Sequence, residues 1–349
     1  MAAALLCLFI TAQGQEFWSN GIHYNLTEDG NAEVTYMDCY YGWYETYYNY
    51  FDQYSGDIVI PSEVTAWVTP MYSEPFEVTA EVVGIGENAF ISCYDLTSVT
   101  LPNSIKYIAE NAFYECTALT SINLPDGLEI IQDNAFSYCG LQSIVIPSSV
   151  TEIGWGVFFS CENLTSANIP EGITELGGTF MFCTSLKTIN LPNSLQMLDM
   201  TFKGCNQLEA IDLPSTVTEV GIESFYNCTQ LQTVICRAIT PPSAWNSSFY
   251  SSDNYIYNNT VLCVPGESLE SYREADGWCN FVNIAAIGDE VKPGDLDGDG
   301  EITIGDVTDL IDLILSHASV ADHPSADVNG DGNIAIDDLV DLIDIMLGL

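Results

Sequence analysis

Phe90-Ile91-Ser92-Cys93-Tyr94-Asp95-Leu96-Thr97-Ser98-Val99-Thr100-Leu101-Pro102 is one copy of a phrase that the 349-residue chain carries in seven registered versions. Its phenylalanines recur at Phe90, Phe113, Phe136, Phe158, Phe180, Phe202 and Phe225, 22 or 23 residues apart. Three residues after each stands a cysteine: Cys93, Cys116, Cys139, Cys161, Cys183, Cys205 and Cys228. A leucine column continues the phrase at Leu96, Leu119, Leu141, Leu164, Leu186, Leu208 and Leu231. Each leucine leads into a short β-like run, such as Ile122-Asn123-Leu124-Pro125 or Ile211-Asp212-Leu213-Pro214, closed by proline in all but the last copy. A second apolar pair follows, for example Ile105 and Ile108.

A fixed period of this length marks a stack of identical supersecondary units. Alternation in I-x-L turns one face of each short strand inward, while Phe and Cys at i and i+3 share one face of a helical turn. One unit cannot bury its apolar side alone, so the copies share a continuous core whose ends need caps. The prolines lack an N–H donor and should end strand pairing. This pattern resembles the leucine-rich repeats of the BspA-like bacterial surface proteins over residues 58–236. The resemblance implies an α/β repeat solenoid with N- and C-terminal caps.

The cysteine column admits a metal or redox ladder and a plainer reading, small apolar fillers in a narrow site. The plainer one prevails, because no C-x-x-C occurs and no histidine lies between His23 and His317, which leaves zinc geometry nothing to build on. Residues 15–57 are expected to form an N-terminal β cap, and 237–288 a C-terminal cap. Between Tyr36 and Tyr54 stand eight tyrosines with Trp43 and Phe51. That cluster, Tyr41, Trp43 and Tyr44 included, either stacks on a sugar or anchors a protein partner, or packs as a hairpin over the open end of the stack.

Beyond Pro293-Gly294 the chemistry changes. Asp295, Asp297, Asp299, Glu301 and Asp306 occupy positions 1, 3, 5, 7 and 12 of a loop with Gly300 at position 6. Thirty-two residues later Asp327, Asn329, Asp331, Asn333 and Asp338 repeat the spacing around Gly332. Oxygen ligands so placed suit Ca²⁺, with glycine making the sharp turn and position 7 offering its carbonyl. Unlike an EF-hand, neither loop has an entering helix, since Gly288 and Pro293 precede one and Pro324 the other. Position 12 is aspartate where the EF-hand has glutamate. Helices are expected over 306–315 and 338–347, matched in type from Asp309/Asp341 to Asp312/Asp344.

Loop then helix, given twice, resembles the type I dockerin over residues 293–349, a small all-α domain behind a linker at 289–292. The resemblance implies two Ca²⁺ ions and a cohesin-bearing scaffold or surface protein as partner. It also implies a selecting role for loop positions 10 and 11, here Ile304 and Gly305, and Ile336 and Asp337. Those pairs differ from the Ser/Thr types of well-known clostridial modules. A calcium-stabilised tail without a partner is the alternative.

Charge and composition narrow the function. With 49 acidic residues against 6 basic and a net charge of −43, the chain repels nucleic acid and anionic lipid alike. Residues 1–14, apolar from Ala2 to Ile10 and ending Ala12-Gln13-Gly14, read as a signal peptide; no stretch is long and apolar enough to span a bilayer. A secreted or surface-attached, non-catalytic binding protein is expected, its solenoid recognising a protein or glycan. A free-standing adhesin is the second reading. A polysaccharide-acting enzyme is the third, and it lacks any constellation with assignable roles.

Overall fold

The computed structural model describes residues 16–35, 54–68, 76–251, 255–287, 294, 296, 302–318, 324–329 and 333–347. The leader at 1–14 and Tyr41, Trp43 and Tyr44 lie outside the described residues. Each repeat makes one turn of a solenoid of about nine turns.

Two columns of short parallel strands form two of its sides. In one, β4 (Gly56–Val59) pairs with the strand Leu96–Thr100, and further along Ala210–Leu213, Thr233–Cys236, Val261–Val264 and Asn283–Ala286 pair in succession. The inward side chains of the inner strands are buried, as Val99, Ile211, Leu213, Val234 and Leu262 are, while Ile58 and Ile284 of the two end strands are half-buried. The second apolar pair builds the other column, with Ile85, Ile108, Ile131 and Ile153 stacked in register. Strands end at or one to two residues before the prolines, as at Leu213 before Pro214.

The third side consists of turns, and no α-helix interrupts the repeats among the described residues. Around Phe90 two short bonds, Ala89 N–H to Gly86 O (3.2 Å) and Cys93 N–H to Phe90 O (3.2 Å), begin a helical turn. Left-handed residues on either side, Asn88 (φ 57°) and Ser92 (φ 54°), stop it from propagating. The amides of Asn88, Phe90 and Ser92 donate instead to Glu110, Ala112 and Tyr114 of the next coil at 2.7–3.0 Å. Every coil repeats the device, with Glu115, Tyr138, Ser160, Phe182, Gly204 and Asn227 left-handed at the place of Ser92. An L-residue there costs about 1–2 kcal/mol, which the forward ladder of amide bonds offsets.

Inside, the phenylalanine rings stack in one continuous column with centroids 5.0–5.9 Å apart from Phe90 to Phe225. An eighth ring, Phe249, extends it at 5.0 Å. The cysteines lie beside this column, fully or almost fully buried. Each thiol from Cys116 to Cys228 donates to the carbonyl of the phenylalanine one coil back, at 3.0–3.1 Å. They are donors as well as fillers.

At the amino end β1 (Glu16–Ser19), β2 (Ile22–Leu26) and β3 (Ala32–Thr35) form an antiparallel meander. β3 joins the second strand column by parallel pairing with Phe76–Ile85. The hairpin of Glu63–Val68 with Phe76–Ile85 follows β4 in the chain and leads into the regular coils. Tyr54 closes the ring column, 4.9 Å from Phe90, and its hydroxyl accepts from His23 N–H and donates to Thr35 O. At the other end α1 (Tyr255–Asn259) and α2 (Leu269–Glu274) surround buried Tyr272 and Trp278. Trp278 lies 5.2 Å from Phe249 and donates its indole N–H to Pro242 O at 2.7 Å.

Candidate calcium and docking site

The tail has its own core, centred on Leu310, Ala326 and Leu342 and joined by Leu296, Ile302, Val328 and Ile334. Leu310 and Leu342 occupy equivalent positions of two helices, α3 (Ile304–Ser316) and α4 (Ile336–Leu347). Both helices begin two residues earlier than the sequence pattern suggests. For α3 the reason is a capping box, in which Thr303 accepts from Gly305 N–H at 3.1 Å and Asp306 accepts from Thr303 N–H at 2.7 Å. Such a box satisfies amides that have no intrahelical acceptor. A single 3₁₀ turn, Pro324–Ala326, precedes the second loop.

The two loops are latched in the same way by their position 12 carboxylates, both fully buried. Asp306 accepts from Leu296 N–H with one oxygen and from Thr303 N–H with the other, each at 2.7 Å. Asp338 accepts from Val328 N–H (2.9 Å) and Asn329 N–H (3.2 Å) with one oxygen and from Ala335 N–H (2.8 Å) with the other. Each latch thus ties loop position 12 to positions 2 and 9.

The donor chemistry fits a hard divalent cation. Asp338 is a buried carboxylate whose hydrogen-bond partners are main-chain amides, an arrangement that leaves its charge in need of a cation. The protein supplies few. Five of the six basic residues are in the solenoid and ion-paired there, as Lys106–Glu129, Lys187–Glu209, Lys203–Glu223, Arg237–Asp212 and Arg273–Glu270. From residue 289 onward 16 acidic residues face Lys292 alone. Of the ten expected ligands, Asp306, Asp327, Asn329, Asn333 and Asp338 are described; Asp295, Asp297, Asp299, Glu301 and Asp331 lie outside the described residues. Among the described residues no three His, Cys, Asp or Glu side chains are gathered into one cluster that could hold a metal.

The helices also present an apolar surface. Ile304 is 74% exposed and Ile336 70%, one at the first position of each helix, with Asp337 exposed and Gly305 half-buried beside them. Val340, Leu315 and Ile345 are exposed as well. No helix among the described residues is long and apolar enough to cross a membrane.

Comparison with known proteins agrees with both halves. The BspA type leucine rich repeat region matches in six copies over residues 83–200 and 178–261, and the dockerin type I domain matches residues 293–347. Similar solved structures include a leucine-rich repeat protein from Bacteroides ovatus, 23% identical, covering 77% of this chain and 88% of that one with a TM-score of 0.34. Another is the T. pallidum leucine rich repeat protein, 27% identical over 56% of this chain and 91% of that one, TM-score 0.38. A third, from Eubacterium ventriosum, is 20% identical over 79% and 84%, TM-score 0.36. No curated protein matches the chain. No enzyme domain accompanies these matches, and type I dockerins bind calcium and dock onto cohesins. The chain belongs to the BspA-type leucine-rich-repeat family and carries a type I dockerin domain behind its repeats.

Proposed function

We propose that the protein is a secreted or surface-attached, non-catalytic binding component, whose solenoid recognises a protein or glycan while its tail docks it, with two Ca²⁺, onto a cohesin-bearing scaffold or surface protein. In this reading 15–57 and 237–288 cap the repeats of 58–236, and the linker 289–292 leads into the docking module 293–349. Asp295, Asp297, Asp299, Glu301 and Asp306 would hold one ion, and Asp327, Asn329, Asp331, Asn333 and Asp338 the other. Bound calcium supplies the positive charge that lets these carboxylates sit together. Asp306 and Asp338 latch the loops, and the helices then hold Ile304 with Gly305 and Ile336 with Asp337 outward for the partner.

The observation that carries the reading is the pair of exposed isoleucines at equivalent positions beside loops latched through the same positions 2 and 9. An apolar side chain exposed at the first turn of each helix contributes little to its own fold and much to a partner's pocket. The test is a pull-down with the full chain as bait, with calcium or with chelator. Recovery of a cohesin-bearing protein in calcium is expected, and its loss with chelator and with Ile304→Asp combined with Ile336→Asp. Capture that persists through both treatments rejects the docking role.

A further inference from the structure

One coil of the solenoid departs from its neighbours. Two residues separate the cysteine from the leucine in the other coils, as in Cys116-Thr117-Ala118-Leu119, but the third has Gly140 alone between Cys139 and Leu141. Gly140 lies directly on the coil before it: a Cβ there would come within 2.3 Å of Thr117 O. One missing residue and one missing side chain leave a notch in the ridge of turns, a groove of about 340 Å³ spanning four coils. Thr117 and Gly140 line it together with Tyr94, Glu115, Tyr138 and Glu162, among others.

Its aromatic and acidic walls are held in place. Tyr138, 39% exposed, is wedged between Tyr114 and Phe159 at centroid distances of 5.4 and 5.2 Å, both edge to face. The left-handed backbone at Tyr138 and at Glu115 (φ 59° and 61°) turns both side chains outward. Glu115 Oε2 accepts from Ser92 Oγ and from Tyr94 Oη, each at 2.9 Å. Both bonds land on one oxygen, so Oε1 keeps its accepting capacity for a ligand.

We propose that this notch is a binding subsite for one or two rings of an uncharged sugar, which deepens the reading of the solenoid as a recognition surface and rests on it. Its volume is at the low end of small-ligand sites, and its nine lining residues fall well short of the roughly 20–30 that each side of a protein interface needs. Ring faces suit the C–H face of a pyranose, and carboxylate, amide and hydroxyl groups suit its hydroxyls. Anionic ligands are opposed by Glu115, Glu162 and the charge of −43, and that field acts against phosphates and uronates alike. A quaternary ammonium would call for a cage of several aromatic faces, and here two tyrosines share the lining with polar groups.

The test is affinity electrophoresis of the full chain through gels containing galactomannan, arabinoxylan, mixed-linkage β-glucan, soluble starch or polygalacturonate. Calorimetry with oligosaccharides of any polymer that retards the chain follows, with choline chloride as competitor. Retardation by at least one neutral polymer is expected. Tyr138→Ala and Glu115→Gln should each weaken it about tenfold or more, with melting temperature unchanged in at least one of the two. No retardation by any neutral polymer, retardation that both variants retain, retardation by polygalacturonate alone, or displacement by choline would each overturn the subsite. Calcium-dependent capture of the cohesin-bearing protein, measured on the same variants, should be unaltered. Failure there with sugar binding intact refutes the docking role and leaves the notch standing.

Discussion

Replacing Cys161 separates two explanations of the cysteine column. If the thiol were only a filler, serine would be worse than alanine, because a buried hydroxyl without an acceptor costs about 1–3 kcal/mol. The structure places an acceptor there: Cys161 Sγ is 3.1 Å from Phe136 O. In Cys161→Ala the loss is the burial of one sulfur, similar to a methyl group at about 0.8–1.5 kcal/mol, together with a hydrogen bond worth about 0.5–1.5 kcal/mol net, weaker than usual because the thiol is a poor donor. The sum is about 1–2.5 kcal/mol. In Cys161→Ser the bond survives with a slightly longer reach, and only part of the volume is lost, so the cost should be about 1 kcal/mol or less. For a solenoid of this size 1 kcal/mol moves the melting temperature by about 2–4 °C. Thermal melts of the full chain in calcium, followed by the far-ultraviolet signal of the sheet columns, should therefore rank wild type above serine and serine above alanine. Serine melting below alanine would refute the donor role.

Three further outcomes are expected. Burial pushes the Cys93 and Cys161 thiols up to about 12 and raises Cys139, Cys183 and Cys228 as well. These groups stay neutral when folded but ionise in the unfolded chain from their ordinary value of 9.0, so their stabilisation is complete below about pH 9 and falls away as pH rises towards 12; denaturant midpoints flat across pH 9–11 would contradict this. The same burial should keep the column silent to an aromatic disulfide reagent in the native state while exposed Cys279 reacts, and early labelling of Cys161 by mass spectrometry would count against it. Asp338→Asn should raise the calcium concentration needed for half-maximal helicity of the tail about tenfold or more, while leaving the melt of the solenoid in place; an unaltered titration would remove Asp338 from the site.

Much of this structure is written in the spacing of residues. Phenylalanine, cysteine and leucine columns disclose the stack because each coil must bury the same positions, and the calcium loops disclose themselves because oxygen ligands need a fixed geometry. What escaped is set by the backbone. The turns look helical from Phe90 and Cys93 alone; Asn88, Asn111 and Asn134 two residues before the ring were the available sign, since asparagine tolerates a left-handed backbone better than most residues. Phe249 was hidden by a 24-residue step and the absence of its cysteine, although Ser248-Phe249-Tyr250 repeats Ser224-Phe225-Tyr226. The capping role of Asp306 reads from Thr303 three positions earlier. Its second bond, to Leu296, joins residues ten apart and has no sequence signature. The single Gly140 was visible as a shortened spacing, but its consequence for the surface depends on four coils at once.

The ring column has a terminator at each end, where Tyr54 meets Phe90 at 52° and Trp278 meets Phe249 at 56° instead of stacking flat. Between them the same ring contact and the same thiol bond recur from coil to coil, the shortened Gly140 coil and the cysteine-free coil of Phe249 excepted, so most coils are interchangeable parts. A gene of this design can lengthen or shorten by unequal recombination at the period without rebuilding either stopper. The length of the stack then becomes a heritable dimension that evolves in steps of one strand spacing, about 4.8 Å.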